Sequence, residues 1–385
     1  MIEKILEFSM RRRGVVLAFA AMLLVGGVFA VLRLPVDAVP DLTGIQVQIN
    51  TEVPALAPEE TERAVTRVIE LEMQGLPGLE EVRSLTKFGL SQVTMAFEDG
   101  TNVLQARQLV GERLAAVLDE LPKGCTPKLA PITTGLGEIF YYAVSWKEGA
   151  VERPQDQAEA LMMLTDTQEY VVKPMMRSVR GVAEINSIGG QLRQVMVEPD
   201  LAALVAAGLT VADLADVVRS NVENAGGGIV ARDGRQVTIR AVGRVTSADE
   251  IRALPVKFGA GVEPIRVGDV ATVAVGAKFR TGGATLNGEE AVIGTVMMLA
   301  GENARVVCQR VIPKLDEVRT KLPAGMDLKV VYDRRDLVER TIGTVKHNLF
   351  EGAVLVVVVL IALLGNWRAA LIVAAAIPLS FLFAI

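Results

Sequence analysis

The chain has 385 residues, 40 of them Lys or Arg and 45 Asp or Glu, for a formal net charge of −5. That acidic balance, with no basic stripe, excludes nucleic acid as a partner. Apolar residues make up 51% and charged residues 22%, so the apolar character is concentrated in segments.

The first ten residues place Ile2, Ile5, Leu6 and Met10 on one helical face, which suits a short helix on the inner membrane surface. Residues 14–32, GVVLAFAAMLLVGGVFAVL, carry no charge. A helix needs roughly 20 such residues to cross a hydrocarbon core of about 30 Å. The run is too long for a cleavable signal peptide, and VLRLPVDAVP offers no A-x-A site, so it reads as an uncleaved span. Arg11, Arg12 and Arg13 place the N-terminus in the cytoplasm. Residues 33–346 then fall on the far side.

In that middle, 44–53 alternates as a strand. Ala57-Pro58-Glu59-Glu60 opens a helix that stops at Gly75. Residues 79–100 form two strands around Lys87-Phe88-Gly89, and Asn102 caps a helix ending at Leu121-Pro122. Extended chain follows near 127–133. This is the order of a split βαβ, ferredoxin-like unit. The pattern then recurs. PGLEEVRSL (77–85) is echoed by RGVAEINSI (180–188), and GTN (100–102) by GEN (301–303). Asn102 to Leu121 and Asn303 to Leu322 both span nineteen positions, ending in LPKG and LPAG. We read two copies of one fold, the second split by an insertion over 192–280. Within the insertion, Asp233-Gly234 is a hairpin turn signal, and Gly226-Gly227-Gly228 reads as a flexible or close-packing lead-in rather than a phosphate loop. An exposed long hairpin invites aggregation, so this one is expected to reach into a partner subunit. A second span follows over 343–365, with Glu351 near its outer edge. Asn366-Trp367-Arg368 makes a short cytoplasmic turn. Residues 369–385 are expected to be a third span, cut short.

The chain has one histidine, His347, and no Cys-x-x-Cys, His-x-x-His, G-x-S-x-G or G-x-x-x-x-G-K-[ST]. A nucleophile–histidine hydrolase and an ATPase are therefore excluded, and the chain reads as a non-enzyme. The two cysteines, Cys125 and Cys308, make no disulfide framework. Thirteen methionines include the pairs Met162-Met163, Met175-Met176 and Met297-Met298. Thioethers suit Cu(I), but adjacent side chains diverge and methionine fills core gaps, so packing is the better reading. Glu138 in TGLGEIFYYAV and Glu169 in LTDTQEYVV are acids on apolar elements. Such acids either pair structurally or ligate a cation, and sequence alone favours pairing. The spans hold almost no ionisable group, so these segments carry no complete proton path.

RLPVDAVPDLTGIQVQINTEVPALAPEE, GLPGLEEVRSLTKFGLSQVTMAFEDGT, PITTGLGEIFYY, GVAEINSIGG, NAGGG and LLGNWRAALIVAAAIPLSFLFA together resemble the resistance-nodulation-division (RND) transporters. Within that superfamily they are similar to the heavy-metal efflux branch, of cobalt-zinc-cadmium and copper-silver exporter type. The resemblance implies an α+β membrane protein: transmembrane helices plus two ferredoxin-like (βαββαβ) periplasmic porter subdomains with an inserted docking subdomain. The implied segments are an interfacial helix (1–13), a first span (14–32), a first porter subdomain (33–134), and a second (135–191 and 281–335). A docking subdomain (192–280), a second span (343–365) and the cut third span (369–385) complete them. It also implies a proton-driven homotrimer in the bacterial inner membrane, joined to a periplasmic adaptor (membrane fusion) protein and an outer-membrane channel. The metal ion is substrate, the proton gradient supplies energy, and no cofactor is bound. The family's relay carboxylates lie on a fourth span, so these residues alone are expected to be inactive.

Glu138 stands where the divalent exporters place a metal-site acid, and where the copper-silver branch has an aromatic. Glu169 matches an aspartate in the family's QDW stretch; here Gln168-Glu169-Tyr170 keeps the acid, one methylene longer, and loses the tryptophan. Carboxylates suit divalent cations, so the resemblance leans toward zinc, cobalt, cadmium or nickel. A multidrug exporter would need clustered aromatics, and the middle has five phenylalanines: Phe88, Phe97, Phe140, Phe258 and Phe279. A membrane-anchored fragment that joins partners without transporting is the third reading.

Overall fold

The computed structural model describes residues 10–33, 43–54, 56–221, 225–232, 235–241, 245, 247–259, 262–280 and 282–384. Nearly all of the expected interfacial helix and the Asp233-Gly234 turn lie outside the described residues.

The strands β1 (Ile45–Glu52), β2 (Leu79–Lys87), β3 (Leu90–Phe97) and β4 (Thr126–Leu129) form one sheet in the order β2-β3-β1-β4. All its neighbours are antiparallel. In β1, Val47, Ile49 and Thr51 are buried and the residues between them are not, as a sheet covered on one face requires. The covering helices are set by local signals. Pro58 and the acids Glu59 and Glu60 open the first (Pro58–Thr61), which passes through a π-turn (Glu62–Thr66) into Arg67–Met73. Asn102 caps the second (Val103–Ala116), accepting from the Leu104 and Gln105 N–H groups at 2.9 and 3.4 Å. Its buried stripe is Ala106, Val110 and Leu114, which closes one core with Ile49, Ile69, Val93 and Met95.

A second sheet begins with β5 (Glu138–Trp146), the helix Gln157–Thr167, a π-turn (Gln168–Val172), the helix Lys173–Arg177 and β6 (Val182–Gly189). The chain then leaves it along β7 (Arg193–Pro199) and returns along β12 (Ala271–Ala277), the two paired as an antiparallel stem. Between them lie helices Leu201–Ala207 and Val211–Ser220, the hairpin β8 (Ala225–Arg232) and β9 (Arg235–Ala241), the helix Ala248–Ala253, and β10 (Pro255–Gly259) with β11 (Val262–Arg266). Gly226, Gly227 and Gly228 lie inside β8 rather than ahead of it, where the ladder is irregular between Gly226 and Ile229. Leu204, Leu214, Ile251, Val267 and Val273 give this region a core of its own. Arg193 ties the stem to the helix Gln157–Thr167, with Glu159 and Asp166 both at 2.9 Å.

A short hairpin, β13 (Thr285–Leu286) and β14 (Glu289–Glu290), turns on Asn287-Gly288. Both residues take positive φ, 54° and 87°, the pattern of a type I′ turn. β15 (Val292–Met298), the helix Ala304–Arg319 and β16 (Met326–Asp333) complete the second sheet, in the order β16-β5-β15-β6. Its core holds Phe140, Tyr142, Leu164, Met176, Ile185, Met298 and Leu315. Cys308 lies in this core and Cys125 against the first, both as free thiols. Burial, with the nearby Asp333 charge, pushes the Cys308 thiol up to about 12.

Asp333 caps a 31-residue helix, Arg334–Leu364, accepting from the Arg335 N–H at 2.9 Å. At 1.5 Å per residue this helix is about 46 Å long, more than the roughly 30 Å of a hydrocarbon core. It starts nine residues before the span expected at 343–365, because the Asp333 cap sits in the soluble body; Val338 is buried there. Gly365 ends the helix in the left-handed region, φ 61°. The helix Trp367–Ala384 then packs back on it and on Arg13–Arg33. A Cβ on Gly27 would lie 2.6 Å from Leu382 Cβ, the close backbone approach that small residues allow between apolar helices. Among the described residues, two helices, Arg13–Arg33 and Arg334–Leu364, are long and apolar enough to cross a membrane.

Candidate functional site

Three irregularities interrupt the second sheet at one end. Val296 pairs with Phe140 but Met297 with Glu138, leaving Ile139 as an extra residue. Val330 pairs with Tyr142 but Tyr332 with Tyr141, leaving Val331 extra. Met297 pairs with Glu184 but Met298 with Val182, leaving Ala183 extra. Bulges re-aim side chains. Residues three apart face opposite sides of a regular strand, but the bulge at Ile139 brings Glu138 and Tyr141 together, and the Tyr141 hydroxyl donates to Glu138 Oε2. The bulge at Val331 sets Tyr332 beside Tyr141, with ring centroids 5.3 Å apart and planes at 46°. The hydrogen bond to Glu138, followed by burial and the Glu138 charge, pushes the Tyr141 hydroxyl up to about 12. Tyr141 therefore stays a neutral donor at ordinary pH.

Glu138 is exposed and forms a wall shared by two clefts. One, of about 350 Å³, is lined by Leu136, Tyr141, Tyr332, Arg334 and Leu337. The other, of about 240 Å³, is lined by Gln46, Gln48, Thr133, Thr134 and Met297. Gln46 and Gln48 belong to β1, so the second cleft lies between the two sheets' units. Arg334 Nη1 donates to the Leu136 carbonyl at 2.6 Å. Asp333 Oδ2 pairs with Arg335 Nη2 at 3.1 Å. These bonds join the floor of the first cleft to the start of the long helix.

Glu169 sits in the π-turn, and both its oxygens are engaged. Ser187 Oγ donates to Oε1 at 2.5 Å and Lys173 Nζ to Oε2 at 2.8 Å. Beside it Gln168, fully buried, donates from Nε2 to the Tyr142 hydroxyl and to Ser187 Oγ, both at 3.1 Å. Burial raises the Tyr142 hydroxyl far above its ordinary range. Glu169 lines a cleft of about 490 Å³ with Lys173, Pro174, Arg177 and Ser178.

The structure thus places the two candidate acids in different clefts. Among the described residues, no three His, Cys, Asp or Glu side chains gather closely enough to hold a metal ion. Sequence reasoning missed the groups that hold each acid. Lys173 left a signal, the i, i+4 spacing from Glu169. Ser187 comes from a remote strand and left none, and Tyr141, three residues from Glu138, would face away from it in a regular strand.

Residues 5–385 match the AcrB/AcrD/AcrF family. The chain belongs to that family. Among its relatives, it is 47% identical over 383 residues to the cobalt-zinc-cadmium resistance protein CzcA of Cupriavidus metallidurans. It is 34% identical over 385 residues to the cation efflux system protein CusA of Escherichia coli K12. In both, all of this chain aligns with 36% of the relative, so it spans about a third of their length. A crystal structure of a heavy metal efflux pump matches with a TM-score of 0.86 at 33% identity, over 99% of this chain and 37% of the other. The AcrB/AcrD/AcrF fold therefore extends through both sheets, the inserted region and the apolar helices.

Proposed function

We propose that these residues work within a proton-driven RND efflux pump that exports divalent heavy-metal cations, zinc, cobalt, cadmium or nickel, and that Glu138 and Glu169 contact the cation. The observation that carries this reading is the 47% identity to a cobalt-zinc-cadmium resistance protein across 383 residues, against 34% to CusA. The pump is a secondary transporter, not an enzyme. It sits in the bacterial inner membrane with the two sheets in the periplasm, as a homotrimer joined to an adaptor and an outer-membrane channel. It binds no cofactor, and the cation is its substrate. The shared sheet order supports two ferredoxin-like porter subdomains, 33–134 and 135–191 with 281–335. The separate core of the inserted region supports a docking subdomain over 192–280.

Divalent cations accept carboxylate oxygen. Glu138, exposed between two clefts, offers one directly; Glu169 offers one at the edge of a third. Because the clefts are distinct, each acid serves as its own contact. Zinc titrated calorimetrically into the chain in detergent micelles is expected to bind. Glu138→Gln and Glu169→Gln should each weaken it by at least about tenfold, the lower end of what losing even an outer-sphere partner costs. Ethidium, a drug-sized cation, should not compete. Zinc binding indifferent to both substitutions, or displaced by ethidium, would overturn the reading.

A further inference from the structure

Glu169 does not wait open for a cation. Lys173 occupies one carboxylate oxygen at 2.8 Å, and Ser187 occupies the other at 2.5 Å. The ion pair is half-buried, its side chains 31% and 25% exposed, so it is screened less than a surface pair. Arg177 lines the same cleft. An arriving divalent cation therefore meets a carboxylate whose two oxygens are both engaged, one of them by an ammonium. The two donors differ in mobility. Ser187 is fixed in β6, and Gln168 Nε2 bonds its Oγ at 3.1 Å. Lys173 holds its ammonium on a flexible four-carbon stem beside open solvent.

We propose that Lys173 is a tethered counter-cation: a divalent cation reaches Glu169 by displacing the Lys173 ammonium, and the ammonium's return drives release. This rests on the reading of Glu169 as a cation contact. Loading then exchanges one cation for another, and Ser187 keeps the carboxylate oriented throughout. A transport site must bind firmly enough to load and weakly enough to discharge. A competitor on the same helix meets both demands without a second ligand set. Lys173 is a positioning residue in this scheme, since it acts on the cation only through Glu169.

The test titrates zinc into the 385-residue chain in detergent micelles, for wild type and for Lys173→Met, Lys173→Arg, Arg177→Met and Glu169→Gln. Lys173→Met is expected to bind zinc about fivefold tighter, the effect of removing an ion pair of this exposure. Lys173→Arg should stay at or below the wild-type affinity, and Arg177→Met should shift it by less than about twofold. Zinc should also speed acetylation of Lys173 by an amine-reactive ester, read by mass spectrometry, because the displaced ammonium is freed. Unchanged or weaker binding by Lys173→Met, with Glu169→Gln still weakening binding, would overturn the proposal and leave Glu169 as a contact. Binding indifferent to Glu169→Gln would overturn both. Melting curves of each variant identify a folding defect: weaker zinc binding together with a lower Tm in Lys173→Met assigns Lys173 a structural role and defeats the proposal.

Discussion

The two sheets share their strand order, a π-turn in the first helix and an asparagine cap on the second, yet their cross-strand pairs are filled differently, and one of these pairs adjoins the π-turn. In the first unit buried Val93 faces buried Ile49. Val93 lies nine residues before its cap, Asn102. Nine residues before Asn303 stands Gly294, and it faces Tyr142. A Cβ on Gly294 would come within 2.1 Å of the Tyr142 ring. The absent side chain admits the tyrosine, whose hydroxyl then meets Gln168. The first unit closes its π-turn with a cluster of side-chain hydroxyls: Thr66 bonds Ser91 at 2.7 Å and Thr86 at 2.8 Å. The second replaces that staple with a buried amide, and with a carboxylate and an ammonium that open onto a cleft. Duplication supplies a frame; the exchange of an aliphatic pair for glycine and tyrosine makes room for polar chemistry in one copy.

The strongest way to break this comparison is to restore the aliphatic pair. Gly294→Val alone forces a β-branched side chain into the Tyr142 ring, and overpacking of this severity should cost about 3 kcal/mol or more. The double variant Gly294→Val with Tyr142→Ile rebuilds the first unit's pair. It should recover about 1–3 kcal/mol of that loss, a coupling typical of residues in contact. Urea unfolding followed by the fluorescence of Trp146, whose indole donates to the Ala160 carbonyl at 3.2 Å within the same unit, would measure both. Additive effects would mean that the glycine is not there for the tyrosine.

Much of this architecture was legible because its signals are local. Pro58 with Glu59, Asn102 and Asn303 each mark a helix start through groups within one turn, and the equal spacing from cap to stop exposed the duplication. The site was legible only as isolated acids. The bulges at Ile139, Val331 and Ala183 depend on which strands pair and in what register, and no residue type announces them. Without the bulge, Glu138 and Tyr141 would lie on opposite faces. The Gly294–Tyr142 fit is equally tertiary, since the two residues are far apart in sequence. The long helix began earlier than its apolar run because a cap in the soluble body, not hydropathy, sets its start.

The pH dependence sharpens the contrast, because all four tyrosines, Tyr141, Tyr142, Tyr170 and Tyr332, belong to the second unit. Tyr141 is raised to about 12, against roughly 10 in an unfolded chain. A group raised on folding contributes stability that is fully present below its unfolded value and is lost as pH passes its folded one. The contribution of Tyr141 should therefore be complete below about pH 10 and gone above about pH 12. Phenolate absorbance should show one transition near pH 12 that disappears in Tyr141→Phe. In Glu138→Gln it should move down, since the bond to the Glu138 carboxylate is the largest cause. A transition unmoved by Glu138→Gln would separate the two groups.

The smallest expected effect compares the caps. Asn102 accepts from two backbone N–H groups, Leu104 at 2.9 Å and Gln105 at 3.4 Å, and Asn303 from one, Val306 at 3.2 Å. Loss of such a cap costs about 1 kcal/mol, so Asn102→Ala should exceed Asn303→Ala by a few tenths of a kcal/mol. The helices also differ inside. Pro313 lies inside Ala304–Arg319 and removes the backbone donor that would meet the Gln309 carbonyl, so the middle of this helix, away from its cap, depends more on packing. Amide hydrogen exchange resolves the two helices within one chain. Faster exchange in the first turn of Val103–Ala116 after Asn102→Ala, with a smaller change in Ala304–Arg319 after Asn303→Ala, is the expected order. The reverse order would mean that the second cap holds its helix through contacts other than its one hydrogen bond.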